Sequence, residues 1–173
     1  MDQKTNTLTI LTYPEPFLKQ LTLPVRNIDG TLQVLIDNMA ETMYAAPGVG
    51  LAAPQVGVGQ SFLVYDIAVD RDHRDLRVLI NPRIVERSGE VISENEGCLS
   101  VPDFRADVKR ASQILVEAVD RDGNPLRFEA EGMHAIVLQH EMDHLSGTLF
   151  IDHISALKRQ LYKRRVMKEI KHR

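Results

Sequence analysis

The sequence predicts an α+β fold, with short hairpin-joined strands standing apart from a few amphipathic helices. Three observations lead there. First, two alternating apolar runs, Gln113 to Val119 and Leu126 to Ala130, flank the turn Asp120-Arg121-Asp122-Gly123-Asn124, and Asp-Gly in such a setting signals a hairpin. Second, helical periodicity is confined to separated segments and does not alternate regularly with strands, which argues against a βαβ-wound sheet. Third, 173 residues of 43% hydrophobic composition suit one domain, residues 1–173, long enough to bury a core without covalent staples.

In chain order, Leu32, Leu35, Ile36, Met39 and Met43 follow the i, i+3, i+4, i+7 spacing of a helix over Thr31 to Met43. The breakers Ala46-Pro47-Gly48 end it. Ser61 to Ile67 and Arg77 to Ile80 read as strands, separated by the charged loop Asp70 to Asp75. After the hairpin, Gly132 opens an apolar helix on which Ile136, Gln139, His140, Asp143, His144 and Gly147 share a stripe. Ser155 to Ile170 is a last helix, with Leu157 and Leu161 expected to dock it on the body.

Charge is unevenly spread. Residues 154–173 carry +7, with Glu169 the one acid, while the whole chain carries −3. Such a tail suits an anionic surface, or serves as a solvated helix. The one cysteine, Cys98, excludes an internal disulfide and fits a reducing compartment. No apolar run approaches the roughly 20 residues that span a bilayer. The opening MDQKTNTLTI resembles neither a signal nor a transit peptide, so a bacterial cytoplasm is expected, with no membrane and no DNA partner.

The chemistry begins at Gln139 to Gly147, QHEMDHLSG. H-E-x-x-H on a helix places two imidazoles on one face with a glutamate between, a specific metal-site signal. A third ligand is needed. Downstream, the histidine position of the longer metalloprotease pattern is Phe150, and His153 misses the spacing. Upstream, NEGCLSVP holds Cys98 in a turn-like stretch, Asn95 to Cys98. A lone cysteine is commonly a small buried hydrophobe. With His140 and His144 it would give three protein ligands and an open position, the count of a catalytic site. Asp143 is read as orienting a ligand imidazole, with an arginine salt bridge as the alternative.

The third segment, Pro47 to Gly59, is glycine-rich but lacks both Gly-Lys-Ser/Thr and an intact G-x-G-x-x-G, so nucleotide binding is set aside. Its glycines suit a backbone against which a substrate strand can lie, with the Gln55 amide close by as a donor.

Together, Gly48-Val49-Gly50-Leu51-Ala52-Ala53-Pro54-Gln55, Glu96-Gly97-Cys98-Leu99-Ser100 and Gln139 to Gly147 resemble the three motifs of the peptide deformylases, in order and without departure, and the resemblance covers essentially the whole chain. It implies removal of the N-formyl group from the initiator methionine of nascent polypeptides, with release of formate. It also implies antiparallel sheets around the metal-bearing helix. By motif position, Cys98, His140 and His144 are metal ligands and Glu141 is the general base and acid. Gln55 and the Leu99 backbone N–H form the oxyanion hole. Val49, Met133, Ile136 and Val137 line a slot for the methionine side chain, with Gly50, Gly97 and Arg105 along the peptide. Fe²⁺ is the implied metal, replaceable by Zn²⁺ or Ni²⁺, and the basic helix is implied to dock on the ribosome. The competing readings are a metallopeptidase of internal bonds, which the missing downstream ligand disfavours, and an RNA-binding module with a structural metal, which needs a fourth ligand.

Overall fold

The computed structural model describes residues 6–68 and 73–172. Residues 1–5, part of the charged loop (69–72) and Arg173 lie outside the described residues. Its helices are α1 (Gly30–Ala45), α2 (Gly132–Leu145) and α3 (Ala156–Lys171), and its strands are β1 (Gly50–Ala52), β2 (Phe62–Tyr65), β3 (Arg77–Ser88), β4 (Val91–Cys98), β5 (Val101–Arg110), β6 (Gln113–Val119) and β7 (Pro125–Glu131). Five strands form one antiparallel sheet in the order β1-β2-β3-β6-β7, and β4 and β5 form a separate hairpin. This is the expected α+β architecture. Among the described residues no helix is long and apolar enough to cross a membrane.

The sheet is covered on both faces, and β2 shows how. Its run Phe-Leu-Val-Tyr is wholly buried, because alternate side chains of a strand point to opposite faces. Phe62 and Val64 meet Leu32, Ile36, Met39 and Met43 of α1. Leu63 and Tyr65 meet Ala135, Val137 and Leu138 of α2. Asp29 caps α1 by accepting from the Leu32 N–H at 3.0 Å, satisfying one of the first-turn donors. A third cluster joins β5, the segment Leu149 to Ile154 and α3, with Cys98 at its margin.

Three expectations need correction. The strand starting at Arg77 does not stop at Ile80 but runs to Ser88, past Asn81-Pro82. Register shifts between Ile80 and Arg83 and between Ile84 and Glu86, with Asn81 at φ 51°, absorb the residues that would otherwise break the ladder. Asn95 to Cys98 is not a turn but the irregular end of β4, with Asn95 at φ 51°. Finally, α3 docks through Tyr162 and Val166, while Leu157 and Leu161 are 68% and 56% exposed. The helix carries two apolar pairs about 140° apart at roughly 100° per residue, and packing selects the one bearing the aromatic ring.

Candidate metal centre

His140 and His144 leave the same face of α2, their ring centroids 5.2 Å apart at 72°. That face turns inward: both rings are buried, His144 to 1% exposure. Opposite them stands Cys98, the last residue of β4, before Leu99 and Ser100 turn into β5. Its Sγ lies 3.3 Å from His144 Nε2, and the ligand atoms of Cys98, His140 and His144 all lie within 4.8 Å of one another. Ion–sulfur and ion–nitrogen bonds of about 2.3 and 2.0–2.1 Å at tetrahedral angles require S···N separations of roughly 3.5 Å. The three donors therefore fit a single metal ion. The downstream position is filled by Phe150, buried to 1%, whose ring stacks on that of His140 at 6.1 Å.

The donors are held by a chain of charges. Glu96 sits against His140 Nδ1 at 2.7 Å, which leaves Nε2 directed at the site. Arg110 grips Glu96 through Nε at 3.2 Å and Nη2 at 2.5 Å, and its Nη1 donates to Asp143 at 2.6 Å. Asp143 in turn meets His153 Nε2 at 2.7 Å. Burial alone would raise the Glu96 pKa, but the hydrogen bonds from His140 and Arg110 outweigh it and hold it at about 2. Asp143 thus takes the arginine salt bridge, the alternative of its two readings, and also braces His153; of the two imidazoles of the donor set, His140 is held by Glu96. Sequence reasoning missed Glu96 and Arg110 in these roles. Glu96 lies inside a quoted motif, but nothing local marks Arg110, which stands 14 residues away.

Burial pushes the His144 pKa well below its ordinary value, so the ring is neutral, as a ligand must be. Its Nδ1 is buried without a hydrogen-bond partner among the described atoms. The same holds for Oε2 of Glu141, a carboxylate that burial raises to about 7. Glu141 rests on β1: a Cβ added at Gly50 would lie 2.5 Å from its Oε1, so any side chain there would push the carboxylate aside. Gln55, buried, accepts from the Ala52 N–H at 2.8 Å through Oε1. Its Nε2 reaches Ser100 Oγ at 3.1 Å and Cys98 Sγ at 3.6 Å. Ser100, also missed beyond its place in a motif, donates its N–H to Cys98 Sγ at 3.4 Å.

Above these groups opens a cleft of about 860 Å³. Val49, Gly50, Gly97, Arg105, Met133, Ile136 and Val137 all line it, together with Gln55, Cys98, Leu99, His140 and Glu141; His144 lies beneath. Arg105 donates from Nη1 to the Asn95 carbonyl at 3.2 Å, so it meets this chain's own backbone across the hairpin. The glycine that closes the metal-site motif has a structural reason. Gly147 ends α2 at φ 70°, and a Cβ there would lie 2.5 Å from the Lys19 carbonyl oxygen.

Comparison with known proteins agrees with this geometry. A family model described as polypeptide deformylase matches residues 7–160. The chain is 59% identical over 164 residues to a peptide deformylase of Desulfosudis oleivorans, covering 95% of each. The crystal structure of a peptide deformylase from Legionella pneumophila superposes with a TM-score of 0.87 at 44% identity, over 96% of this chain and 98% of that one. A peptide deformylase from Ehrlichia chaffeensis in complex with actinonin gives 0.88 at 37% identity, over 95% and 98%. A fold of this kind, a Cys–His–His donor set beneath an open cleft, and likeness along nearly the whole length lead to one conclusion: the chain belongs to the polypeptide deformylase family, metal-dependent hydrolases that remove the N-formyl group from formyl-methionyl peptides.

Proposed function

We propose that the whole chain acts as one catalytic domain that deformylates nascent N-formyl-methionyl peptides at a metal held by Cys98, His140 and His144. The observation that carries this reading is the convergence of three donor atoms within 4.8 Å beside the buried carboxylate of Glu141, whose Oε2 has no hydrogen-bond partner among the described residues. Three protein donors leave a coordination position open, the arrangement of catalytic sites. A bound divalent ion there supplies the positive charge that lowers the pKa of water towards neutrality and polarises the carbonyl. Thiolate and imidazole suit Fe²⁺ and Zn²⁺ alike. We take Fe²⁺ as the working metal, with Zn²⁺ or Ni²⁺ able to replace it.

Glu141, with a pKa of about 7, is poised to take a proton at neutral pH and return it. It accepts the proton of the water that adds to the formyl carbon, then delivers it to the departing amine as the C–N bond breaks. Formate and a free methionyl terminus result. The Gln55 amide and the Leu99 N–H donate to the oxygen that becomes negative, a role whose loss typically costs about 10²–10³ in rate. β1 is the edge strand of its sheet, so an extended peptide can pair along Val49 and Gly50. Val49, Met133, Ile136 and Val137 take the methionine side chain, while Gly97 and Arg105 flank the peptide beyond. Gly50→Ala is expected to displace the Glu141 carboxylate and lower kcat about 10-fold or more, since misplacement by ~1 Å costs up to ~10²; steady-state kinetics on folded protein checks this.

The test of the reading is formate release from formyl-Met-Ala-Ser by protein prepared without air in Fe²⁺. Metal-loaded protein that releases no formate overturns it, and cleavage of an internal bond would indicate a peptidase. Because formyl-methionyl chains are made in the bacterial cytoplasm, we place the enzyme there. The exposed Lys163, Arg164 and Lys168 of α3 suit ribosomal RNA, a polyanion. Truncation would strip Tyr162 and Val166 from the core, so charge reversal at these three positions is the better probe. Ribosome affinity is expected to fall and its salt dependence to flatten; unchanged affinity in a cosedimentation assay would contradict docking through α3.

A further inference from the structure

We propose that the N-terminal segment spaces the two donors of the oxyanion hole, through the backbone N–H groups of Leu11 and Tyr13. The inference rests on the assignment of Gln55 and the Leu99 N–H to that hole. These donors belong to different units of the fold. Gln55 lies in the short helical turn Ala53–Val56, which follows β1 of the five-stranded sheet. Leu99 lies between β4 and β5, a hairpin that forms no ladder with that sheet among the described residues. A two-stranded ribbon alone is marginally stable, so its distance from Gln55 depends on other ties.

Residues 6–13 supply such a tie without joining either sheet. The Leu11 N–H donates to the Gln55 carbonyl at 2.7 Å, and the Tyr13 N–H donates to the Ser100 carbonyl, also at 2.7 Å. Only Thr12 stands between the two donors, so the reach of the chain leaves the two carbonyls little freedom to separate. Side chains close the circuit. Gln55 and Ser100, exposed to 1% and 0%, meet where Gln55 Nε2 donates to Ser100 Oγ at 3.1 Å. Leu11, Gln55, Ser100 and Tyr13 thus form one ring of three hydrogen bonds and covalent chain. The Gln55 amide nitrogen carries a second donor hydrogen, the one available to the oxyanion. Ser100 follows Leu99 directly, so the carbonyl held by Tyr13 belongs to the residue next to the other donor.

The segment is itself fixed on either side of this ring. Before it, the Leu8 N–H donates to Thr42 Oγ1 of α1 at 2.8 Å. Beyond it, the buried Leu18 enters the apolar cluster with Val101 and Phe150. Leu11 and Tyr13 are therefore positioning residues that act through Gln55 and Ser100. The groups that act are main-chain N–H donors, so the test must remove those and keep the side chains.

Replacing Leu11 or Tyr13 by its α-hydroxy acid during translation turns the amide N–H into an ester oxygen. Each ester, in the full metal-loaded chain, is expected to lower kcat for formyl-Met-Ala-Ser about 10-fold, the scale of a donor displaced rather than removed. KM should change by less than about 2-fold, the pattern of an interaction made only in the transition state, and bound metal should stay at the wild-type ratio. An ester at Leu8 is the control, since it removes one hydrogen bond of the same segment away from the site. It should lower Tm as much as the other two, by roughly 1–6 °C, and leave kcat unchanged. Unchanged kcat in either the Leu11 or the Tyr13 ester would overturn the proposal, as would an equal fall in the Leu8 ester, the mark of general loosening. Gln55→Ala separates this from the assignment beneath it. A loss of about 10²–10³ in kcat there upholds the assignment whatever the esters do, whereas full activity would remove Gln55 from the hole and the proposal with it.

Discussion

Glu141→Ala is expected to lower kcat by about 10²–10⁴-fold, the range for removal of a general acid–base group, while bound metal stays at the wild-type ratio. Both halves follow from position. Glu141 stands between the donor histidines in sequence but outside the Cys98–His140–His144 cluster in space. Its carboxylate is buried against Gly50, with Oε2 unpartnered among the described residues and the pKa raised to about 7 by burial. Such a group spends much of its time in either protonation state at neutral pH, as a shuttle requires. Metal analysis of the purified variant beside its kinetics separates the two halves. Full activity in the variant would remove the proton-transfer role, and loss of metal together with activity would make Glu141 a ligand.

The second large effect is expected far from the reacting atoms. Arg110 is 6% exposed and bridges Glu96 and Asp143, themselves joined to His140 and His153. Removing one partner of a buried ion pair leaves the other charge uncompensated, at about 3–5 kcal/mol. For a chain of this length each kcal/mol shifts Tm by roughly 2–4 °C, so Arg110→Ala should melt on the order of 10 °C lower. Its metal affinity should also fall about 10–100-fold, because Glu96 no longer holds the His140 ring in one orientation. Calorimetric melting and competition with a chelator measure both. A Tm within a degree of wild type would show that the charge chain carries little of the stability.

The two kinds of residue were not equally legible in the sequence. His140, Glu141 and His144 could be read because their chemistry needs fixed types at fixed spacing on one helix, and Cys98 because it is the sole thiol. The antiparallel hairpin around Gly123 was equally plain, since turn chemistry is local. Arg110 was not, for its partners Glu96 and Asp143 lie 14 and 33 residues away, and a long-range ion pair leaves no periodic trace. The same blindness left Asp143 between two readings, a ligand imidazole and an arginine, and only the fold, which brings Arg110 of β5 to it, decides for the arginine. On α3, both Leu157/Leu161 and Tyr162/Val166 have docking spacing. Only the presence of Phe104 and Tyr13 opposite decides between them, and that is tertiary information. The length of β3 was hidden by Asn81-Pro82, a local stop signal that a bulge overrides.

Replacing the native metal with Co²⁺ tests the proposed thiolate-containing site most directly. Titration of metal-free protein should reach one Co²⁺ per chain with a near-ultraviolet thiolate-to-metal band, absent from Cys98→Ser, which should bind the ion more weakly. Identical spectra and affinities in the two proteins would show that Cys98 is not a ligand, and would contradict a metal centre built on Cys98, His140 and His144.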